Sequence, residues 1–398
     1  MSSAMSTLSA AAAARITLYA FICAMLFSAT SSAPTPLYPL YRALYHLSPL
    51  AVTLIFASYA FALLFALLTL GRLSDFIGRR VMMLAALLCN TLALIMFMLA
   101  DSAHTLIAAR MVQGIATGIA LPTFGAAILD GDKARGPLLN SVTAFLGLLA
   151  GSLTGALLIT FAPFPTVSIY ALLFTLMLLA LLPLMPETVA RTPGARRALK
   201  PQIAIPPRAL GALLRLAPVN VAAWALGGFY LSLMPTLAID VTGLRSPFVG
   251  GAVVATLMLS ATASVFLFRR WQPQRALFIG TLALMAGIGV TLIGINHHQT
   301  ALLFLGTAVA GQGFGSIFST IISIVMPLAE SHERAGLFAA FLIKSYLAFA
   351  LPALLAGCAV PTIGLVATAN AYCWGIFSMA AVSLLAGRRA VCLKPERG

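Results

Sequence analysis

The sequence predicts an all-α polytopic membrane protein. It should have twelve transmembrane helices in two six-helix pseudo-repeats, with both termini cytoplasmic. Three observations carry this. Of 398 residues, 61% are hydrophobic and only 8% charged, whereas a soluble domain carries about a quarter charged residues. Apolar runs of about 20 residues, the length that crosses a bilayer core of about 30 Å as helix, recur from end to end. Lys and Arg cluster in alternate connections between those runs, which gathers them on one side of the membrane. The same figures exclude a soluble globule and intrinsic disorder. The 31 glycines lack a triplet period, and five cysteines are few for a disulfide scaffold. The net charge of +15 invites a nucleic-acid reading, but its confinement to short clusters between apolar runs makes it an orientation signal, so no nucleic-acid partner is expected.

Each span is bounded by charge or by Pro and Gly. The first, roughly 16–35, follows Arg15 and ends at Pro34-Thr35-Pro36; its length and the runs after it set it apart from a cleaved signal peptide. Spans at 50–70 and 81–100 flank Arg72, Arg79 and Arg80. Spans at 105–126 and 138–161 flank Lys133 and Arg135, and 167–186 closes the first half at Glu187. In the second half, 217–239 follows Arg215. Spans at 248–268 and 276–294 flank Arg269, Arg270 and Arg275, those at 301–327 and 336–357 flank Glu330 and Arg334, and 363–385 precedes Arg388 and Arg389.

With this even count, twenty of the 24 Lys and Arg share the side of the termini and two, Arg42 and Arg245, face the other. The side rich in Lys and Arg is cytoplasmic. The chain is therefore expected to divide into a six-helix bundle at 1–186, a basic cytoplasmic linker at 187–216, a second bundle at 217–386 and a cytoplasmic tail at 387–398. An internal repeat follows that division. Ala33-Pro34-Thr35 matches Met234-Pro235-Thr236, Gln113-Gly114 matches Gln312-Gly313, and Asp130 through Gly136 matches Glu330 through Gly336, all about 200 residues apart.

Between the second and third spans runs Gly71-Arg72-Leu73-Ser74-Asp75-Phe76-Ile77-Gly78-Arg79-Arg80. Glycines at both ends allow a tight turn, and Asp75 can accept hydrogen bonds and pair with an arginine. This decapeptide resembles the signature loop of the major facilitator superfamily, at the place where that family carries it, and the whole chain resembles the twelve-helix drug/proton antiporter-type bacterial efflux permeases of that superfamily. The resemblance implies a bundle of two rocking halves around a central cavity. It also implies a latch made by Gly71, Asp75, Gly78, Arg79 and Arg80, with Asp130 at the end of the fourth span as a third member. Glu330 and Arg334 would be the second-half counterpart, since the loop around Arg269–Arg275 lacks both the Asp and the glycines.

Arg110-Met111-Val112-Gln113-Gly114 in the fourth span resembles the R-x-x-Q-G motif of proton-coupled members. An arginine at membrane depth faces the protein interior or a wet cavity, or else snorkels to the interface; Gln113 and Gly114 favour the interior. In the fifth span Gly147, Gly151, Ser152 and Gly155 resemble the G-x-x-x-G-P-x-x-G-G motif of antiporters, with serine replacing the proline and Ala156 replacing the last glycine. Close helix packing alone also accounts for small residues at that spacing.

Lys344 lies in the eleventh span, and all nine acidic residues lie in loops, tails or span ends. A cavity reached by Arg110 and Lys344 favours anionic, zwitterionic or neutral cargo; snorkelling of Lys344 is the alternative. Tyr38, Tyr41 and Tyr45 read first as an interfacial belt and second as part of an outer gate. Tyr59, Asn90, Gln113, Gln312, Tyr230, Trp224 and Trp374 are weaker candidates to line the path. The histidines fall in loops, and Asp240 is either a proton carrier or a cap. Neither Cys nor His shows ligand spacing, so no metal site is expected, and no cofactor. No Walker A sequence is present, which excludes ATP drive within the chain, and no paired catalytic groups occur at membrane depth, so an enzyme is not expected. The expectation is a secondary transporter working by alternating access, monomeric, in the inner (cytoplasmic) membrane. It would use protons to export a small molecule; the alternative is import or facilitated diffusion of an anionic metabolite or sugar.

Overall fold

The computed structural model describes residues 10–182, 199, 201, 203–244, 246–330 and 333–392. Glu187, Arg191, Arg196, Arg197, Lys200, Arg245, His332, Lys394, Glu396 and Arg397, and the side chains of Arg388, Arg389 and Cys392, lie outside the described residues. Among the described residues the secondary structure is all helical. In chain order the helices are α1 (Ala10–Ser32), α2 (Tyr38–Leu44), α3 (Pro49–Leu70), α4 (Ser74–Ile77), α5 (Arg79–Met98), α6 (Ala103–Gly131), α7 (Gly136–Phe161) and α8 (Ser168–Leu181). They continue as α9 (Pro207–Arg215), α10 (Ala217–Ser232), α11 (Met234–Thr242), α12 (Pro247–Phe268), α13 (Pro273–Asn296), α14 (Thr300–Val325), α15 (Arg334–Ile363) and α16 (Leu365–Cys392).

Among the described residues, ten helices are long and apolar enough to cross a membrane, or eleven if the bent pair α9 and α10 counts as one. This is a multi-pass membrane protein; its helices correct the expected spans at two places, the first and the seventh, and the sixth runs out of the described residues. The sixth expected span is represented by α8, 14 residues long, and the rest of 167–186 leaves the described residues after Leu182. The seventh, expected to run unbroken over 217–239, is split into α10 and α11, because Pro235 has no N–H to give the Leu231 carbonyl. The first breaks at Pro34 and continues through a 3-10 turn, Thr35–Leu37, into α2. Tyr38 and Tyr41 are thereby buried inside the protein, so they do not form an interfacial belt.

The contacts divide the chain into two compact units: residues up to Pro34 with Phe61–Pro201, and Thr35–Ala60 with the residues from Gln202 on. In the first, α1 packs on α6 and α7, and α5 on α6 and α8. Phe27 meets Phe124 at 5.6 Å and Phe97 stacks on Tyr170 at 4.7 Å. The α1/α7 seam depends on missing side chains. A Cβ on Gly147 would fall on the Met25 carbonyl, and one on Gly151 on that of Ala29. In the second unit α14 packs on α13 and α12, and α10 on α15 and α16. The first half of α3 belongs to this unit: Phe56 meets Phe349 at 4.8 Å, and Ala57, Ala60 and Ala350 form a small closed cluster.

Candidate functional site

The first unit carries two polar constellations. One forms where α1 breaks. In a helix the Thr30 carbonyl would accept from residue 34, but that residue is Pro34, so the carbonyl is orphaned at membrane depth, where each unsatisfied group is costly. Gln113 on α6 fills the gap, its Nε2 donating to the Thr30 carbonyl at 2.8 Å. Arg110, one turn earlier, donates from Nη1 to the Ser31 carbonyl at 2.8 Å and to Gln113 Oε1 at 2.9 Å. Asn90 on α5 donates to Thr30 Oγ1 at 3.2 Å. The register of α6 is set by its start, where Ser102 and Thr105 cap one another's backbone N–H. Arg110 is 1% exposed, so it does not snorkel. A guanidinium laid against the C-terminal carbonyls of α1 also meets the negative end of that helix dipole. Gly114 is buried beside it in α6.

The other constellation is the Gly71–Arg80 loop. Gly78 has φ +102°, in the region that favours glycine, and this turn starts α5 at Arg79. The Arg79 side chain is 12% exposed and bridges two carboxylates, Asp75 Oδ1 at 2.9 Å from Nη1 and Asp130 Oδ2 at 2.9 Å from Nε; Nη1 also donates to Ser74 Oγ at 3.0 Å. Gly71 is buried, whereas Arg80 is exposed. All members of this clamp lie within the first unit.

On α7, Gly147 and Gly151 form the seam with α1. Ser152 stands where the antiporter motif has proline, and its Oγ donates to the Leu148 carbonyl at 2.8 Å. Gly155 is buried one turn on.

The second unit differs. Val309 occupies the position of Arg110 in the repeat, and Gln312 Oε1 is buried with no hydrogen-bond partner. Arg334 donates to the Ala329 carbonyl at 3.3 Å. The partner that bridges Glu330 is Arg208 on α9, at 2.9 Å, and the same guanidinium also pairs with Glu333. Both carboxylates hold the Arg208 charge by pushing its pKa above the usual arginine value. In the sequence Arg208 is one of six basic residues of the 187–216 linker, and its partners lie more than a hundred residues on.

Lys344 Nζ is buried without a hydrogen-bond partner, 5.8 Å from the Phe341 ring centroid. It precedes Tyr346 by two residues, so it projects about 200° around α15 from that ring. The Tyr346 face carries the aromatic cluster. Trp224 on α10 meets Tyr346 at 5.0 Å, Phe318 at 6.0 Å and Phe349 at 6.1 Å, with its Nε1 buried and unpartnered. Tyr230 bonds Thr307 at 2.8 Å, whereas Trp374 and Asp240 are exposed. Among the described residues no group of three or more His, Cys, Asp or Glu could hold a metal.

These features define a polytopic helical transporter fold with a proline-broken first span and an arginine-clamped loop. The family model for the Major Facilitator Superfamily matches residues 20–353, and the chain belongs to that family; it is a transporter, not an enzyme. No curated protein matches the sequence. Three solved structures share the fold. A mutant of the nucleoside transporter NupG is 14% identical, TM-score 0.72, covering 93% of this chain and 99% of that one. The human organic anion transporter MFSD10 is 17% identical, TM-score 0.68, with the same coverages. The POT family transporter PepTSo is 12% identical, TM-score 0.74, covering 96% of this chain and 99% of its own.

Proposed function

We propose that the protein is a secondary active transporter working by alternating access, and that it exports a small molecule in exchange for protons. The observation that carries this reading is the Arg110–Gln113 cap on the broken end of α1. It is a buried cation bonded to two backbone carbonyls of another helix, so a change in its hydrogen bonds is transmitted to the position of α1. The Asp75–Arg79–Asp130 clamp acts as the conformational latch, opened and closed once per cycle. Glu330 is the second-half counterpart, with Arg208 as well as Arg334 beside it. Twelve spans, the six-helix division at the 187–216 linker, cytoplasmic termini, a monomer and the cytoplasmic (inner) membrane all belong to the same reading, supported by the asymmetry of Lys and Arg.

The cargo is neutral, zwitterionic or anionic. Every one of the nine acids lies outside the mid-span segments, and an organic cation would want a carboxylate there. A second reading is import or uniport of an anionic metabolite or sugar. It is favoured by Ser152, which replaces the proline of the antiporter motif. The deciding experiment measures proton movement in energised everted vesicles challenged with cationic drugs, organic anions and neutral sugars, with Arg110→Ala as control. Proton release on adding a compound, absent in the control, supports exchange. Equilibration of labelled cargo with no proton response would replace it with the second reading.

A further inference from the structure

We propose that α9, with the extended residues before it, lies flat in the headgroup layer of the adjoining leaflet and binds anionic phospholipid. The axis of α9 turns 57° from that of α10 at Leu216, which swings it from the membrane normal toward the membrane plane. Its inward side is short: Pro206, Ala209 and Leu213 are buried. Arg208 pins it to the loop before α15 through Glu330 and Glu333.

The opposite side is apolar, and none of the described residues covers it. Leu210 is 43% and Leu214 63% exposed, and they lie one turn apart, with Pro207 and Gly211 on the same stripe. Ile203 and Ile205 extend the patch. Water is a poor solvent for that stripe. An apolar stripe edged by arginine is what an interfacial helix presents to a bilayer.

Charge selects the lipid. At this end of the unit Arg215, Arg269, Arg270, Arg275 and Arg334 are exposed, and Trp271, an interfacial residue type, is exposed among them. Glu330 and Glu333 are the only acids there among the described residues, and Arg208 already holds both. The surplus is cationic, and each Lys or Arg near an anionic surface strengthens attachment.

The test is hydrogen exchange of the 203–215 amides in the full-length protein. It compares nanodiscs of phosphatidylcholine with nanodiscs of equal parts phosphatidylcholine and phosphatidylglycerol. Exchange should slow at least about fivefold in the anionic discs. That slowing should be lost in Leu210→Asp/Leu214→Asp while the spanning helices stay protected. Leu210→Ser/Leu214→Ser serves if the charged variant fails to fold. Equal exchange in the two bilayers, or slowing that survives both double substitutions, would overturn the proposal.

Discussion

Gln113 donates to the carbonyl of Thr30 at 2.8 Å, the carbonyl that Pro34 deprives of its helical partner. One substitution in the backbone pattern of α1 is thus made good by one side chain of α6. The exchange makes the break in α1 and the R-x-x-Q-G segment parts of a single device.

That pairing predicts a compensating double substitution. Gln113→Leu should destabilise the protein by about 1–3 kcal/mol, since it strands a buried carbonyl. Pro34→Ala restores an N–H at the position Thr30 needs, so the double variant should recover most of the loss. Thermal unfolding of the four proteins in detergent gives the coupling energy, and additivity of the two losses would refute the pairing.

Arg110 reaches the Ser31 carbonyl and Gln113 through one guanidinium nitrogen. Lysine keeps the charge but has no planar fork. Arg110→Lys should therefore retain protein in the membrane but lose roughly tenfold in proton-linked flux, and Arg110→Ala should fall to background. Wild-type flux in either variant would detach the arginine from coupling.

Asp75 and Asp130 share Arg79, and Asp75 is the more exposed of the two. Asp75→Asn should lower turnover by about an order of magnitude, equivalent to about 1.4 kcal/mol, with cargo affinity nearly unchanged. A normal rate would remove the loop from the conformational cycle. The stability change should stay within about 1 kcal/mol, as for other partly exposed ion pairs.

Gly151 meets the Ala29 carbonyl where a Cβ would have to sit. Gly151→Val should force α7 off α1 and cost about 3 kcal/mol or more. Gly289 has open space around its Cβ position, so Gly289→Ala in α13 serves as control and should be close to neutral or slightly stabilising. A tolerated valine at 151 would mean that the seam is loose.

The parts that sequence made legible are those in which cause and effect lie close along the chain. Gly78, Arg79 and Asp75 lie within one turn and a half of one another, and their residue types alone dictate a tight clamp. Asp130 was reachable from its place at the end of the fourth span, and Glu330 from Asp130 through the repeat. Pro235 shows the opposite case: the Met234-Pro235-Thr236 match marks the repeat, yet the apolar run continues through it, so hydropathy reads one span where the backbone makes two helices. Arg208 was invisible as a partner of Glu330 because 122 residues separate them and nothing local links a linker arginine to a distant acid. The burial of Tyr38 and Tyr41 also depended on packing, since a Pro-rich, Tyr-rich span end reads first as an interfacial belt.

The grouping of Thr35–Ala60 with the residues beyond Gln202 has a consequence for biogenesis. The ribosome delivers residues at about 5–20 per second, so Phe349 and Ala350 arrive after this segment by the whole stretch of chain between them. Phe56, Ala57 and Ala60 must wait in the insertion machinery or in lipid until then. The Arg79 clamp, by contrast, can close as soon as Asp130 has emerged. Assembly is therefore staged: the contacts within the first unit can form early, whereas the first half of α3 stays half-finished until α15 is inserted.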